Sequence, residues 1–201
     1  IKLGGYPIGA LINGASKVTV EAWAKPATLS GNKFFFGSRI NSAYAGVDFY
    51  LNGTNLTVGG RSQSADTYRS ATYGIATSNT WMHVAGIYDY PNDCILIYFN
   101  GSLVKSNAVS FGAQSYTLGT PWQDDCIGDT PAGGYFMSGN LSDLRIWNVA
   151  RTPEQIAASY TNRLTGTEEG LVGYWPLIGT TSPIDTGPFN LDNPIIHPTY
   201  M

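Results

Sequence analysis

The stretch LSDLRIWNVARTPEQI (Leu141–Ile156) spaces an acid, a guanidinium and an indole by two: Asp143, Arg145 and Trp147. On an extended strand this spacing sets all three on one face. There they could bind a polar ligand, or could tie strands together. A second group lies in WQDDCIGDTPAGGYF (Trp122–Phe136), where Asp124, Asp125 and Asp129 fall between Trp122 and Tyr135. Loop carboxylates offer the hard oxygen atoms that calcium takes. The flanking rings could stack on sugar faces, burying apolar area as interface anchors do. Against this, turn aspartates commonly bond their own backbone, and an aromatic beside two glycines can simply pack. Trp122, Asp124, Asp125 and Tyr135 form the candidate ligand-binding set, and the loop around Tyr44, Asp48 and Asn52 is a second candidate.

Catalysis finds little support in the same residues. A retaining glycosidase needs two carboxylates about 5–5.5 Å apart across the scissile bond. Glu21 is the lone acid of its strand, between Thr19 and Trp23 on one face. Glu154 opens a helix, where its charge meets the helix dipole favourably, and Glu168 and Glu169 sit in a polar connector. His83 lies in a strand-like run and His197 in the C-terminal tail. No GxSxG-like turn, P-loop or GxGxxG is present. The expected class is non-enzymatic.

Those side chains must be positioned by short strands. KVTVEAW, NKFFFG, GVDFYLNG, NLTVGG and SLVKSNAVSF are brief alternating or apolar runs punctuated by Gly, Asn and Pro. WMHVAGIYDY and CILIYFNG flank a Pro-Asn-Asp turn and read as a hairpin. Thr152, Pro153 and Gln155 supply a cap, a first helical residue and a capping box for one short helix. Leu144 and Ile146 are expected to face the core, and Trp23, Trp81, Trp147 and Trp175 to pack. This pattern predicts an all-β, two-sheet antiparallel sandwich (a jelly roll) with one short C-terminal helix, over residues 1–201 as a single domain.

Composition narrows the setting. Charged residues are only 12% of the chain and the net charge is −3, so no basic field exists to draw nucleic acid or anionic lipid. No run approaches the roughly 20 apolar residues that span a bilayer, so no membrane insertion is expected. The first residues lack a basic n-region and a cleavage site, which reads as a mature chain or excised module. Cys94 and Cys126 lack zinc-site spacing. They are expected to form a disulfide in an oxidising compartment, the alternative being two buried thiols. Asn-x-Ser/Thr sequons occur at Asn52, Asn55, Asn100 and Asn140, which chance could supply in a chain rich in these residues.

VTVEAWAKP, WMHVAGIYD, ILIYFNGSLV, GYFMSGNLSDLRIWNVARTPEQI and LVGYWPL occur in the order seen in laminin-G-like, concanavalin-A-like jelly-roll domains, which the chain resembles from Val18 to Leu177. The resemblance implies an extracellular, cell-surface or virion-surface setting. It also implies a non-catalytic carbohydrate-recognition or adhesion role within a multidomain or multimeric protein, with a glycan or surface protein as ligand. The alternatives are a structural spacer in a surface fibre and a divergent glycoside hydrolase. It further implies a structural calcium ion with Asp143 as a ligand, against the bland reading that Asp143 caps loop amides or pairs with Arg145. In bacterial relatives LVGYWPL often opens a domain. Here it closes the chain, and residues 171–201 are expected to fold back onto the same sandwich, since an unpaired apolar strand would expose backbone groups.

Overall fold

The computed structural model describes residues 12–38, 46–63, 67–74, 76–112 and 125–177. The strands in chain order are β1 (Lys17–Pro26), β2 (Asn32–Gly37), β3 (Gly46–Asn52), β4 (Asn55–Arg61), β5 (Arg69–Gly74), β6 (Met82–Asp89), β7 (Cys94–Phe99), β8 (Ser102–Ala108), β9 (Cys126–Ile127), β10 (Gly139–Trp147) and β11 (Leu171–Trp175). One helix, α1 (Pro153–Ser159), lies between β10 and β11. Two antiparallel sheets result, a six-stranded one in the order β11-β10-β1-β6-β7-β8 and a five-stranded one in the order β5-β4-β3-β2-β9. They face each other as a jelly-roll sandwich, with β5 against β7 and β8, and β2 against β1.

Alternation in β1 shows how the sequence sets the layers. Val18, Val20, Ala22 and Ala24 enter the core between the sheets, while Thr19 and Glu21 take the opposite face and are also buried. β6 is buried at every residue. A sheet face that met water would leave every second residue exposed, so both faces of the six-stranded sheet are covered at β6, while its edge strand β8 stays largely exposed. Its outer cover is α1 with the chain around it. Ile156 and Ala150 pack on Ala85, Ile87 and Tyr98, and Leu164 on Trp147, Leu171 and Tyr174. Thr152 caps α1 as expected, its hydroxyl accepting from the Gln155 N–H while the Gln155 side chain accepts from the Thr152 N–H.

Tyr88 crosses the sandwich. Its hydroxyl lies 2.9 Å from both the Asp48 and Gly59 carbonyls, tying the six-stranded sheet to β3 and β4. Beside it the sheets approach closely, and a Cβ on Gly86 would meet the Val58 methyls at 2.5–2.6 Å. β11 pairs with β10 in register Leu144↔Trp175 to Ile146↔Gly173. The residues from 178 onward, with Ile195–Ile196 expected as a last strand, lie outside the described residues.

The expected Cys94–Cys126 disulfide is not formed. Cys94 begins β7, next to the β8 edge, and its sulfur lies 3.4 Å from the Ser106 hydroxyl. Cys126 lies on β9, the far edge of the other sheet, with β2 beside it. Since β5 is the strand that packs on β7, the two cysteines occupy opposite ends of the sandwich. A disulfide needs Cα atoms within about 7 Å.

Replacing Gly86 with alanine is expected to lower stability by about 1–3 kcal/mol, the usual cost of overpacking a dense core. Urea unfolding would show the midpoint falling; an unchanged midpoint would mean that Val58 gives way freely.

Candidate functional site

The acid, guanidinium and indole of β10 do come together, but beneath α1 rather than at a surface. Arg145 is fully buried. Its Nη2 donates to the Asp143 carboxylate and, at 2.6 Å, to the Asn162 carbonyl. Its Nη1 donates to the Ser159 carbonyl at 3.0 Å and lies 3.7 Å from Glu21 Oε1. The last turn of α1 carries no basic residue, so a guanidinium from the sheet does what a C-terminal cation normally does for a helix. Trp23 adds a second tie, its indole N–H donating to the Tyr160 carbonyl at 2.8 Å.

Glu21 is the centre of this cluster. It sits directly across from Arg145 in the β1–β10 register. It accepts the Trp147 indole N–H at 2.9 Å, and His83 Nε2 lies 3.3 Å from its other oxygen. Burial pushes its carboxyl upward. The His83 imidazole close by and the charges of Arg145 and Arg151 outweigh that and hold it at about 2. Arg151 caps the far side by lying over the Trp147 ring, 4.0 Å from its centroid.

Asp143 reaches Arg145 by a backbone irregularity that spacing does not reveal. Glu21 pairs with Arg145 but Trp23 pairs with Ser142, so β10 carries one residue more than β1 across Ala22. This is a β-bulge, and Asp143 occupies it with φ 55°, a conformation that aspartate tolerates better than most residues. Its N–H donates to the Pro176 carbonyl. Burial pushes its carboxyl above the ordinary value, against the pull of Arg145 and Tyr174.

This setting does not fit calcium at Asp143. The ion needs six to eight oxygen ligands, and here a guanidinium already occupies the carboxylate. Among the described residues no group of three or more His, Cys, Asp or Glu side chains could hold a metal.

Of the ligand-binding set, Trp122 and Asp124, like Tyr44 of the second candidate, lie outside the described residues. Asp125 is buried just before β9, and Asp48 is buried on β3 while Asn52 is exposed. Tyr135 is 47% exposed and Phe136 is 67% exposed. The turn that carries them is closed by its own bonds. Gly133 and Gly134 take φ of 78° and 94°, which glycine supplies at little cost. Asp129 Oδ1 accepts the Tyr135 N–H at 2.9 Å, the Tyr135 carbonyl accepts from Phe34 N–H, and Met137 N–H donates to Gly128. The Tyr135 ring lies 5.8 Å from that of Phe34, which stacks on Tyr50 at 4.4 Å with planes 5° apart. A column of three rings therefore runs from β3 through β2 to the sandwich rim.

Behind the column, Tyr68 fills the space left by Gly59, where a Cβ would collide with its hydroxyl. Burial, with Asp48, Tyr50 and Tyr88 nearby, pushes the Tyr68 hydroxyl far above its usual range, so it stays protonated. Glu21 and His83 in the covered cluster, and Phe34 and Tyr50 in the column, were not singled out as site residues from sequence. The available signal was pairing, since Glu21 shares a strand face with Trp23 and would need a partner if that face were covered.

The sequence profile of the concanavalin A-like lectin/glucanases superfamily matches residues 6–157. The chain belongs to this superfamily. No curated protein matches it. Among solved structures, a Bacteroides ovatus protein provisionally named as carbohydrate binding aligns over 91% of this chain and 56% of its own, with 21% identity and a TM-score of 0.64. This chain thus spans little more than half of that protein. The carbohydrate-binding module CBM40 of a Ruminococcus gnavus sialidase aligns over 79% of this chain and 90% of its own, at 14% identity and a TM-score of 0.61. A heptameric SAP-like pentraxin from Limulus polyphemus aligns over 72% and 70%, at 23% identity and a TM-score of 0.52. At these identities the likeness is one of fold. No helix among the described residues is long and apolar enough to cross a membrane.

Two outcomes are expected for this superfamily member's covered cluster. Trp147→Phe removes the donor to Glu21 and leaves a buried carboxylate oxygen short of a bond. It should cost about 1–3 kcal/mol in urea unfolding, and an unchanged midpoint would mean that the bond contributes nothing. The second concerns pH. Glu21 is held at about 2, below its ordinary value of 4.5. Its contribution is therefore complete above about pH 4.5 and is lost as pH falls through 2, a change on the order of 3 kcal/mol. Asp143, pushed upward by burial, acts with the opposite sign. Unfolding curves from pH 5 to pH 2 should show a fall that Glu21→Gln flattens; parallel curves would contradict the assignment.

Proposed function

We propose that this domain is a non-catalytic carbohydrate-recognition module, and that sugar meets it at the rim through Tyr135. The observation that carries the reading is the exposed Tyr135 ring, held beside Phe34, which itself stacks on Tyr50, by a turn that Asp129 closes. A ring fixed before the ligand arrives loses little side-chain entropy on binding. Its apolar face suits the C–H face of a pyranose, as it suits other buried aromatic contacts. The names of two similar structures, from Bacteroides ovatus and Ruminococcus gnavus, point the same way.

The non-catalytic part of the reading rests on where the acids are. Glu21 and Asp143 approach the same guanidinium but are sealed beneath α1, with exposures of 0% and 3%. A glycosidase pair must face substrate and water. We place the domain in a larger extracellular or surface protein, the setting in which the fold commonly serves recognition.

A glycan array, probed with calcium and again with chelator, tests the reading. Binding to at least one carbohydrate class is expected in both conditions, because Asp143 is committed to Arg145. Tyr135→Ala should weaken that binding about tenfold, equivalent to ~1.4 kcal/mol, with an unchanged unfolding midpoint. An array blank in both conditions would favour a spacer or protein-binding domain.

A further inference from the structure

The rim carries one feature that a single sugar ring at Tyr135 leaves unexplained. Phe136 is the most exposed large apolar residue among those described, at 67%. It follows Tyr135 directly but makes no ring contact with Tyr135 or Phe34, whose rings pair with each other. Met137, the next residue, packs against the core. The same hydrogen bonds that fix Tyr135 fix the backbone on both sides of Phe136, at Tyr135 and at Met137. The segment thus holds a phenyl ring in water by a rigid frame, where a flexible turn could have folded it inward.

Neighbouring residues have Cα atoms about 3.8 Å apart. Two rings on them that do not touch present two separate apolar surfaces. A chain of sugar units offers a separate face to each.

Building on the carbohydrate-recognition reading, we propose that Phe136 forms a second subsite and that the ligand is an oligosaccharide chain, engaged along its length rather than at a terminal sugar. Tyr135 holds one sugar unit. Phe136 holds another further along the chain, and its exposed ring is buried only when the chain is long enough to reach it.

The test is calorimetric titration of the full chain with neutral oligosaccharide series, β-1,4-linked glucose, xylose and mannose oligomers, each from the monosaccharide to the hexamer. Wild-type affinity should rise with length in the series that binds. Phe136→Ala should leave the affinity for the shortest binding member unchanged and lower that for the longest about tenfold. Phe136→Tyr should restore the rise, and Tyr135→Ala should lower affinity at every length. Phe136→Ala tracking the wild type at every length, or a flat wild-type profile, would overturn the second subsite while leaving the rim reading intact. No binding of any member by the wild type would also overturn the second subsite, while the rim reading stands or falls with the glycan array. Near-ultraviolet circular dichroism confirms that the exposed Phe136→Ala variant stays folded.

Discussion

The buried pairing of Glu21 with Arg145 constrains everything outside the core. Two charges taken from water cost several kcal/mol each unless both find close partners. Here the partners come from four separate parts of the chain. β1 gives Glu21, β6 gives His83, β10 gives Asp143, Arg145 and Trp147, and the α1 region gives the Ser159 and Asn162 carbonyls. Removing any one would strand a charge. The cluster therefore fixes the bulge in β10, the seat of α1 and the sealing of the outer sheet face together. An apolar face would also have buried well, but many placements of α1 would satisfy it. The bonds from Arg145 and Trp23 allow one.

This cover decides which face of the molecule can meet a ligand. With the outer face of the six-stranded sheet closed over β10, β1 and β6, the strong chemistry there is spent inside the fold. The acids, the arginine and the tryptophans have the composition of a binding site and the burial of a scaffold. Among the described residues, the two exposed neighbouring rings lie beside β2 of the five-stranded sheet, where chemistry is sparse but the backbone is closed by its own bonds. A turn closed by Asp129 holds Tyr135 tilted against Phe34, which stacks on Tyr50, and leaves Phe136 in water.

The jelly roll, the hairpin through Pro91 and the Thr152 cap were legible in sequence, because alternation and turn chemistry are local. So was the inward path of Leu144 and Ile146. The cluster was only half legible. Asp143, Arg145 and Trp147 could be placed on one strand, yet Glu21 looked isolated because its partners lie 62 to 126 positions away. The bulge that turns Asp143 onto Arg145 has no local mark beyond an aspartate that tolerates positive φ. The disulfide expectation failed for a related reason. Two cysteines on strand-like runs give no hint of which end of a sandwich each strand occupies. At the rim, Tyr135 was recognised as a candidate, but Phe34 and Tyr50 looked like ordinary strand aromatics until pairing placed them beneath it.

The central claim is that the Glu21–Arg145 cluster holds the fold and does not hold the ligand. A double-mutant cycle in urea unfolding, with Glu21→Gln, Arg145→Met and the double variant, tests it most directly. The account predicts that each single change costs about 3–5 kcal/mol and that the double change costs clearly less than their sum, since the two charges compensate each other. Single variants that unfold like the wild type yet no longer bind glycan would contradict it, and would return this cluster to the status of a site.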